Sequence, residues 1–146
     1  MTAFVIDASV AVKWVITEED SQQASSLFSG SILSAPDLII AECGNILWKK
    51  VRRAQLTEDE ALMAARILQH MDVELHPMRP LMERATRLAM DIGHPAYDCL
   101  YLALALEKGI QFVTADLGFV SKVRQTLPEA ASTVQSLADV AAKGLH

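Results

Sequence analysis

Apolar and polar positions alternate along this chain with two periods, and the boundaries between them outline the fold. The chain opens with "AFVID", a short β-branched and aromatic run ended by a charge, which reads as a buried strand. "ASVAVKWVI" then starts a helix at once, and "EEDSQQASSLFSG" reads as a second helix, with acids in its first turn and Gly30 at its end. "ILSAP" is a short strand or turn. Asp37 to Ala54 follows helical spacing and ends in "KKVRR", cations where the helix dipole favours them. "TEDEALMAARILQHM" opens with the Thr57–Glu60 pairing of a capping box. "VELH" is a short strand, and "PLMERATRLAMDIG" a helix with Pro80 near its start and Gly93 at its end. Pro95 starts the next helix, "AYDCLYLALAL", and "IQFVTA" is another buried strand. From about Thr133 the tail offers one more edge strand and a last helix. Strands alternating with helices predict α/β architecture, a mostly parallel sheet with helices on both faces.

At 146 residues the chain fits a single domain over 1–146, and half its residues (51%) are hydrophobic, which is globular rather than disordered composition. The longest wholly apolar run is the eight residues Cys99–Leu106, far short of a membrane span. Asp7 falls too early for a secretory leader. Cys43 and Cys99 lie in apolar helical stretches and read as buried free thiols, so a cytoplasmic protein is expected.

The net charge of −5 counts against simple binding to a nucleic-acid backbone. That objection weakens if several acids share a cation. Asp7 and Asp116 each end a buried strand, where open α/β sheets place their chemistry. Glu42, in "DLIIAECGNILW", projects among Leu38, Ile39 and Ile46, with Asn45 the other polar group on that face. Asp98 interrupts a helix that is otherwise apolar nearly all round, which predicts a buried carboxylate in need of a partner. Each acid alone has a plainer reading: Asp7 and Asp116 could cap helices, and Asp98 could be a first-turn acid. Together, four carboxylates in one site require a cation, and all-oxygen ligands suit Mg²⁺ or Mn²⁺. Such a site activates water for phosphoryl transfer.

The pieces "VIDASV", "IAECGNIL", "HPAYDCLYLALA" and "FVTADLGF", in this order and over essentially the whole chain, resemble the PIN-domain family, specifically the VapC-type toxin ribonucleases. The resemblance implies a three-layer α/β/α sandwich and a metal-dependent endoribonuclease. It implies Asp7, Glu42, Asp98 and Asp116 as catalytic and metal-holding acids, with Ser9, Asn45 and Thr114 as supporting polar groups. It further implies a homodimer and a VapB-like antitoxin, in a heterotetramer or larger assembly, whose C-terminal segment covers the acidic site. One departure is Gly118, where many relatives carry a further acid that would help hold a second metal.

Other features divide between readings. Lys49, Lys50, Arg52 and Arg53 either guide RNA phosphates or simply end a helix in solvent. Trp14 and Trp48 fit cores or interfaces better than base stacking. The apolar residues of "ASVAVKWVI" and those around Trp48 are candidate partner surface. His94 reads as a turn residue, since acids alone suffice for the metal, while His70, His76 and His146 join no constellation. Alternatives to the ribonuclease are a PIN-type nuclease acting on structured DNA, an aspartate-based phosphotransfer domain and a non-catalytic binding module. The phosphotransfer reading lacks the expected second acid beside Asp7, where Ser9 stands.

Overall fold

Each short apolar run predicted as a strand is one, and all pair in parallel. The computed structural model describes residues 2–16 and 21–142. Five strands, β1 (Thr2–Ile6), β2 (Ser31–Pro36), β3 (Glu74–His76), β4 (Gln111–Thr114) and β5 (Val134–Ser136), form one sheet in the order β3-β2-β1-β4-β5. Val5 and Ile6 of β1 are fully enclosed, as a central strand covered on both faces must be. "ILSAP", read as strand or turn, is strand, because its Leu33 to Pro36 stretch is buried beside β1.

The helices are α1 (Ala8–Ala11), α2 (Ser21–Phe28), α3 (Leu38–Arg52), α4 (Glu58–Leu68), α5 (Met82–Ile92), α6 (Ala96–Lys108), α7 (Leu117–Thr126) and α8 (Leu137–Ala142). α6 crosses β1, β2 and β4, with α5 packed outside it and α7 against α5. α2 and α8 touch one another and cover the other face, which completes three layers. The capping box forms as its spacing predicts: Glu60 N donates to Thr57 Oγ1 and Thr57 N to Glu60 Oε1. The acids expected in the first turn of α2, Glu18, Glu19 and Asp20, lie outside the described residues, as does His146.

The segment "ASVAVKWVI" requires a correction. It was expected to offer partner surface. Instead Ala8, Val10, Ala11 and Val12 are buried, and Trp14, Val15 and Ile16 pack against the core. Trp14 Nε1 also donates to the Ala24 carbonyl at 2.8 Å, which fixes its ring on α2. Trp48, by contrast, stays exposed, under the Arg52 guanidinium at 5.1 Å. Cys43 and Cys99 are buried and free, as their setting predicts.

β1 leads outward to β2 and β3, and the chain then returns to add β4 on the other side of β1. The order of the sheet therefore reverses between β1 and β4. Ligands of such sheets sit beyond the strand ends at this reversal. The residues that leave β1 and β4 there are Asp7 and, two past the strand, Asp116.

Candidate active site

The parallel register pairs Ile6 with Val113, so Asp7 and Thr114 emerge side by side. Thr114 Oγ1 donates to Asp7 Oδ2 at 2.6 Å, and Ser9 Oγ donates to Asp7 Oδ1 at 2.5 Å. Both hydroxyls are themselves held, Thr114 Oγ1 by the Asp116 amide at 3.0 Å and Ser9 Oγ by the Ala115 amide at 3.1 Å. Two amide–hydroxyl–carboxylate relays thus lock Asp7 from both sides. The Val10 amide, at 3.2 Å from Oδ1, makes Asp7 the N-cap of α1 as well. Asp7 therefore caps α1 and lines the cleft at the same time. Burial raises the Asp7 carboxyl to about 6 despite the hydroxyl bonds, and the charge of Asp98 adds to the rise.

Glu42 stands one turn into α3, with Tyr101 OH donating to Oε1 at 2.5 Å. Burial pushes the Glu42 carboxyl up, the Tyr101 bond opposes this, and Asp98 adds to it. The tyrosine side chain is fully enclosed, and burial drives its phenol far above the ordinary value, so it acts only as a donor. Asp98 opens α6 and meets His94 Nε2 at 2.6 Å through Oδ2. Asp116 caps α7, accepting from the Phe119 amide at 3.1 Å through Oδ1. Asp7, Glu42, Asp98 and Asp116 all line one open cleft of about 590 Å³.

The expectation that Asp98 is a buried carboxylate is overturned. Asp7 alone is buried, at 5% exposure; Glu42 and Asp98 are half-buried and Asp116 is exposed. The reason is position along the helix. Burial in α6 begins at Cys99, one residue past Asp98, and holds from Tyr101 to Ala105, while the turn of Asp98 stands at the sheet's rim. Nor is Asp98 bare, because His94 is its partner, and the reading of His94 as a turn residue alone is corrected by that bond. Tyr101 was missed too. A tyrosine on an apolar helix needs a partner for its hydroxyl, and Tyr101 lies three residues past Asp98, on the same side of α6. That was the available signal.

The supporting residues divide. Ser9 and Thr114 touch Asp7 as described. Asn45 lines the cleft but forms no hydrogen bond to the acids among the described residues. Of the four cations at the end of α3, Lys49 alone lines the cleft; Arg52 lies over Trp48, and Arg53 follows the last turn. Tyr97, of the "HPAYDCLYLALA" motif, is 63% exposed and lines the cleft beside Asp98. A β-carbon at Gly118 would sit 3.3 Å from Asp116 Oδ1, so a side chain there would press on that carboxylate.

The donor set fits a hard divalent cation. Glu42, Asp98 and Asp116 each have one oxygen tied by a donor, which leaves the other available to the cleft. Ligand atoms of His94, Asp98 and Asp116 lie within 4.8 Å of one another, close enough to share one ion.

Known proteins of similar sequence and shape have the same plan. The chain is 34% identical over 121 residues to Ribonuclease VapC3 of Pyrobaculum aerophilum, covering 81% of this chain and 92% of that protein. It is 29% identical over 113 residues to Ribonuclease VapC9 of Mycobacterium tuberculosis, covering 77% and 85%. The crystal structure of PAE2754 from Pyrobaculum aerophilum superposes with a TM-score of 0.71 at 20% identity, covering 97% of this chain and 94% of that one. Mycobacterium tuberculosis VapC20, described as a Sarcin-Ricin loop cleaving toxin, superposes at 0.61 with 18% identity, covering 81% and 93%. These two share the fold. The family profile of the PIN domain matches residues 4–124. A match that runs from β1 through α7 takes in all four acidic positions, and the chain therefore belongs to the PIN-domain family.

Proposed function

We propose that this chain is a metal-dependent endoribonuclease of the VapC toxin type, folded as one PIN domain over residues 1–146. The observation that carries the reading is the convergence of Asp7, Glu42, Asp98 and Asp116 on one cleft at the sheet's reversal point. The names of the curated relatives, each a ribonuclease, support the substrate class. The PIN family match removes the ground for an aspartate-based phosphotransfer domain. An intact acid cluster speaks against a binding module, since unpaired carboxylates brought together only cost stability.

Glu42, Asp98 and Asp116 would hold Mg²⁺ or Mn²⁺ through their uncommitted oxygens, with Asp7 beneath them. When bound, such an ion lowers the pKa of water and offsets charge on the phosphate. The protein's own groups do the rest. Asp7, with both oxygens held by hydroxyls, anchors the cluster. Glu42, tied to Tyr101 at Oε1, keeps Oε2 as its ligand oxygen. Lys49 offers the phosphate a cation at the cleft wall.

The same chemistry supports the partner. A cleft that gathers carboxylates attracts a guanidinium, so a small VapB-like antitoxin whose C-terminal segment carries an arginine would neutralise it. Homodimerisation and a heterotetramer or larger complex with that antitoxin belong to this reading. A cytoplasmic site of action does too, and no helix among the described residues is long and apolar enough to cross a membrane.

The test incubates the purified, partner-free protein with tRNA and rRNA in Mg²⁺, in Mn²⁺ and in EDTA, beside Asp98→Asn. Metal-dependent cleavage that disappears in the variant is expected. Cleavage that persists in Asp98→Asn would place the active site elsewhere. A folded protein that cuts structured DNA and not RNA would overturn the substrate class.

A further inference from the structure

We propose that His94 is a positioning residue of the acidic site: it donates Nε2–H to Asp98 Oδ2 and thereby aims the other Asp98 oxygen at the cation, without itself becoming a ligand. The inference rests on the metal-dependent reading above.

Two observations carry it. His94 Nε2 lies 2.6 Å from Asp98 Oδ2, one helical turn away across the junction of α5 and α6. At that distance two lone pairs would repel, so a proton lies between them, and the imidazole is its natural donor. The other ring nitrogen, Nδ1, is buried and has no hydrogen-bond partner among the described residues. A proton there would be an unsatisfied buried donor, which is the costlier choice. The ring therefore donates through Nε2, and that bond orients Asp98. Histidine and carboxylate reach the same end in many metal sites, with the roles reversed.

The ring is also held in place from outside. Its centroid is 4.8 Å from that of Phe119, in the first turn of α7, the helix that Asp116 caps. Gly93 precedes it with φ +73°, a conformation that ends α5 and swings the chain toward α6. Lys122 Nζ, also on α7, bonds the Gly93 carbonyl at 3.0 Å. α7 thus clamps the turn that carries His94 while presenting Asp116. A nitrogen ligand would instead need Nε2 free of its proton, facing the ion. The closeness of His94, Asp98 and Asp116 alone would allow that arrangement, but the bond to Asp98 opposes it.

The experiment is calorimetric titration of Mn²⁺ into the full-length, partner-free protein and into His94→Phe and His94→Gln, with thermal unfolding in EDTA as a control. His94→Phe keeps a ring against Phe119 and loses the donor; His94→Gln can place an amide N–H near the old Nε2. Expected is Mn²⁺ affinity at least about 10-fold weaker in His94→Phe, the usual cost of losing such a partner, with Gln restoring most of it. Affinity in His94→Phe equal to wild type, in a protein that unfolds normally, would overturn the proposal while leaving the metal reading intact. Affinity lost equally in the Gln variant would also overturn it. Pulsed EPR of bound Mn²⁺ with ¹⁵N-histidine-labelled protein gives an independent readout: a directly coordinated nitrogen would overturn positioning in favour of ligation. Absence of any Mn²⁺ binding by the wild type would instead overturn the metal reading, and this proposal with it.

Discussion

The hydroxyl of Tyr101, a fully buried residue of α6, reaches Glu42 Oε1 on α3 at 2.5 Å, so a core side chain sets the position of a cleft carboxylate. The phenol also stacks on Phe112 of β4, with ring centroids 5.6 Å apart, which leaves it little freedom to follow a moving Glu42. Removing the hydroxyl leaves one Glu42 oxygen without its donor. Tyr101→Phe should then raise the Glu42 carboxyl further, since the lost bond is what opposes burial. The expected outcome is a loss of about 1–2 kcal/mol in stability and on the order of 10-fold in metal-dependent cleavage. Unfolding by urea and a cleavage rate at saturating RNA check the two separately. Full activity in a destabilised protein would limit Tyr101 to packing.

Asp7 predicts a pH signature for the metal-free protein. Its folded carboxyl sits near 6 and the ordinary value is 3.8, so the folded state holds its proton more tightly than the unfolded state. The stability this contributes is complete below about pH 4 and is lost as pH rises through 6. A shift of this size corresponds to about 3 kcal/mol. Glu42, also raised, acts in the same direction; Asp139, held low by the Ser136 amide and by Arg124, acts in the opposite one. In EDTA the melting temperature should therefore fall between pH 4 and pH 6, and the Asp7→Asn protein should show less of that fall. Adding Mn²⁺ should stabilise the protein more at pH 7 than at pH 5, because a cation favours the ionised cluster. Thermal melts of both proteins across this range would decide it; parallel curves would mean that Asp7 is not the group responsible.

The strands and the four acids were legible in the sequence for a physical reason. A buried parallel strand must be a short apolar run, and an acid closing such a run is conspicuous. Glu42 and Asp98 were legible as polar interruptions of apolar helices. The burial of Asp98 was overestimated because periodicity gives the face of a helix but not the depth at which its first turn meets the sheet. His94 and Tyr101 were missed because each looks ordinary alone. Their importance lies in contacts made after folding, four residues along a turn for His94 and 59 residues away for Tyr101. The cations at the end of α3 could not be ranked for the same reason, since helical spacing alone did not show which faced the cleft.

Burial also predicts thiol behaviour. Cys43 is pushed up to about 12 and Cys99 to about 11, chiefly by desolvation, with nearby carboxylates adding to both. Neither thiol should react appreciably with an aromatic disulfide reagent at pH 8 in the native state, and both should react once the protein is unfolded. The count of released thiolate with and without denaturant measures this. Rapid labelling of Cys99 in the native protein would mean that α6 opens readily, which its enclosed residues Cys99 and Tyr101–Ala105 oppose.

Lys49 and Arg53 provide a matched pair for separating a substrate contact from a solvated charge. Both lie at the end of α3, but Lys49 lines the acidic cleft and Arg53 follows the helix. Each phosphate contact to a single-stranded nucleic acid contributes about 0.7 to the slope of log affinity against log salt. RNA binding to the catalytically disabled Asp98→Asn protein, measured over a range of salt, should lose about that much slope when Lys49 becomes Ala. In the active protein, Lys49→Ala should raise KM several-fold with a smaller effect on kcat, since a phosphate contact outside the reacting atoms binds ground and transition states alike. Arg53→Ala should leave the slope and KM close to their starting values. Equal effects of the two substitutions would mean that RNA meets the whole end of α3 as a diffuse positive patch, and that the cleft wall holds no particular phosphate.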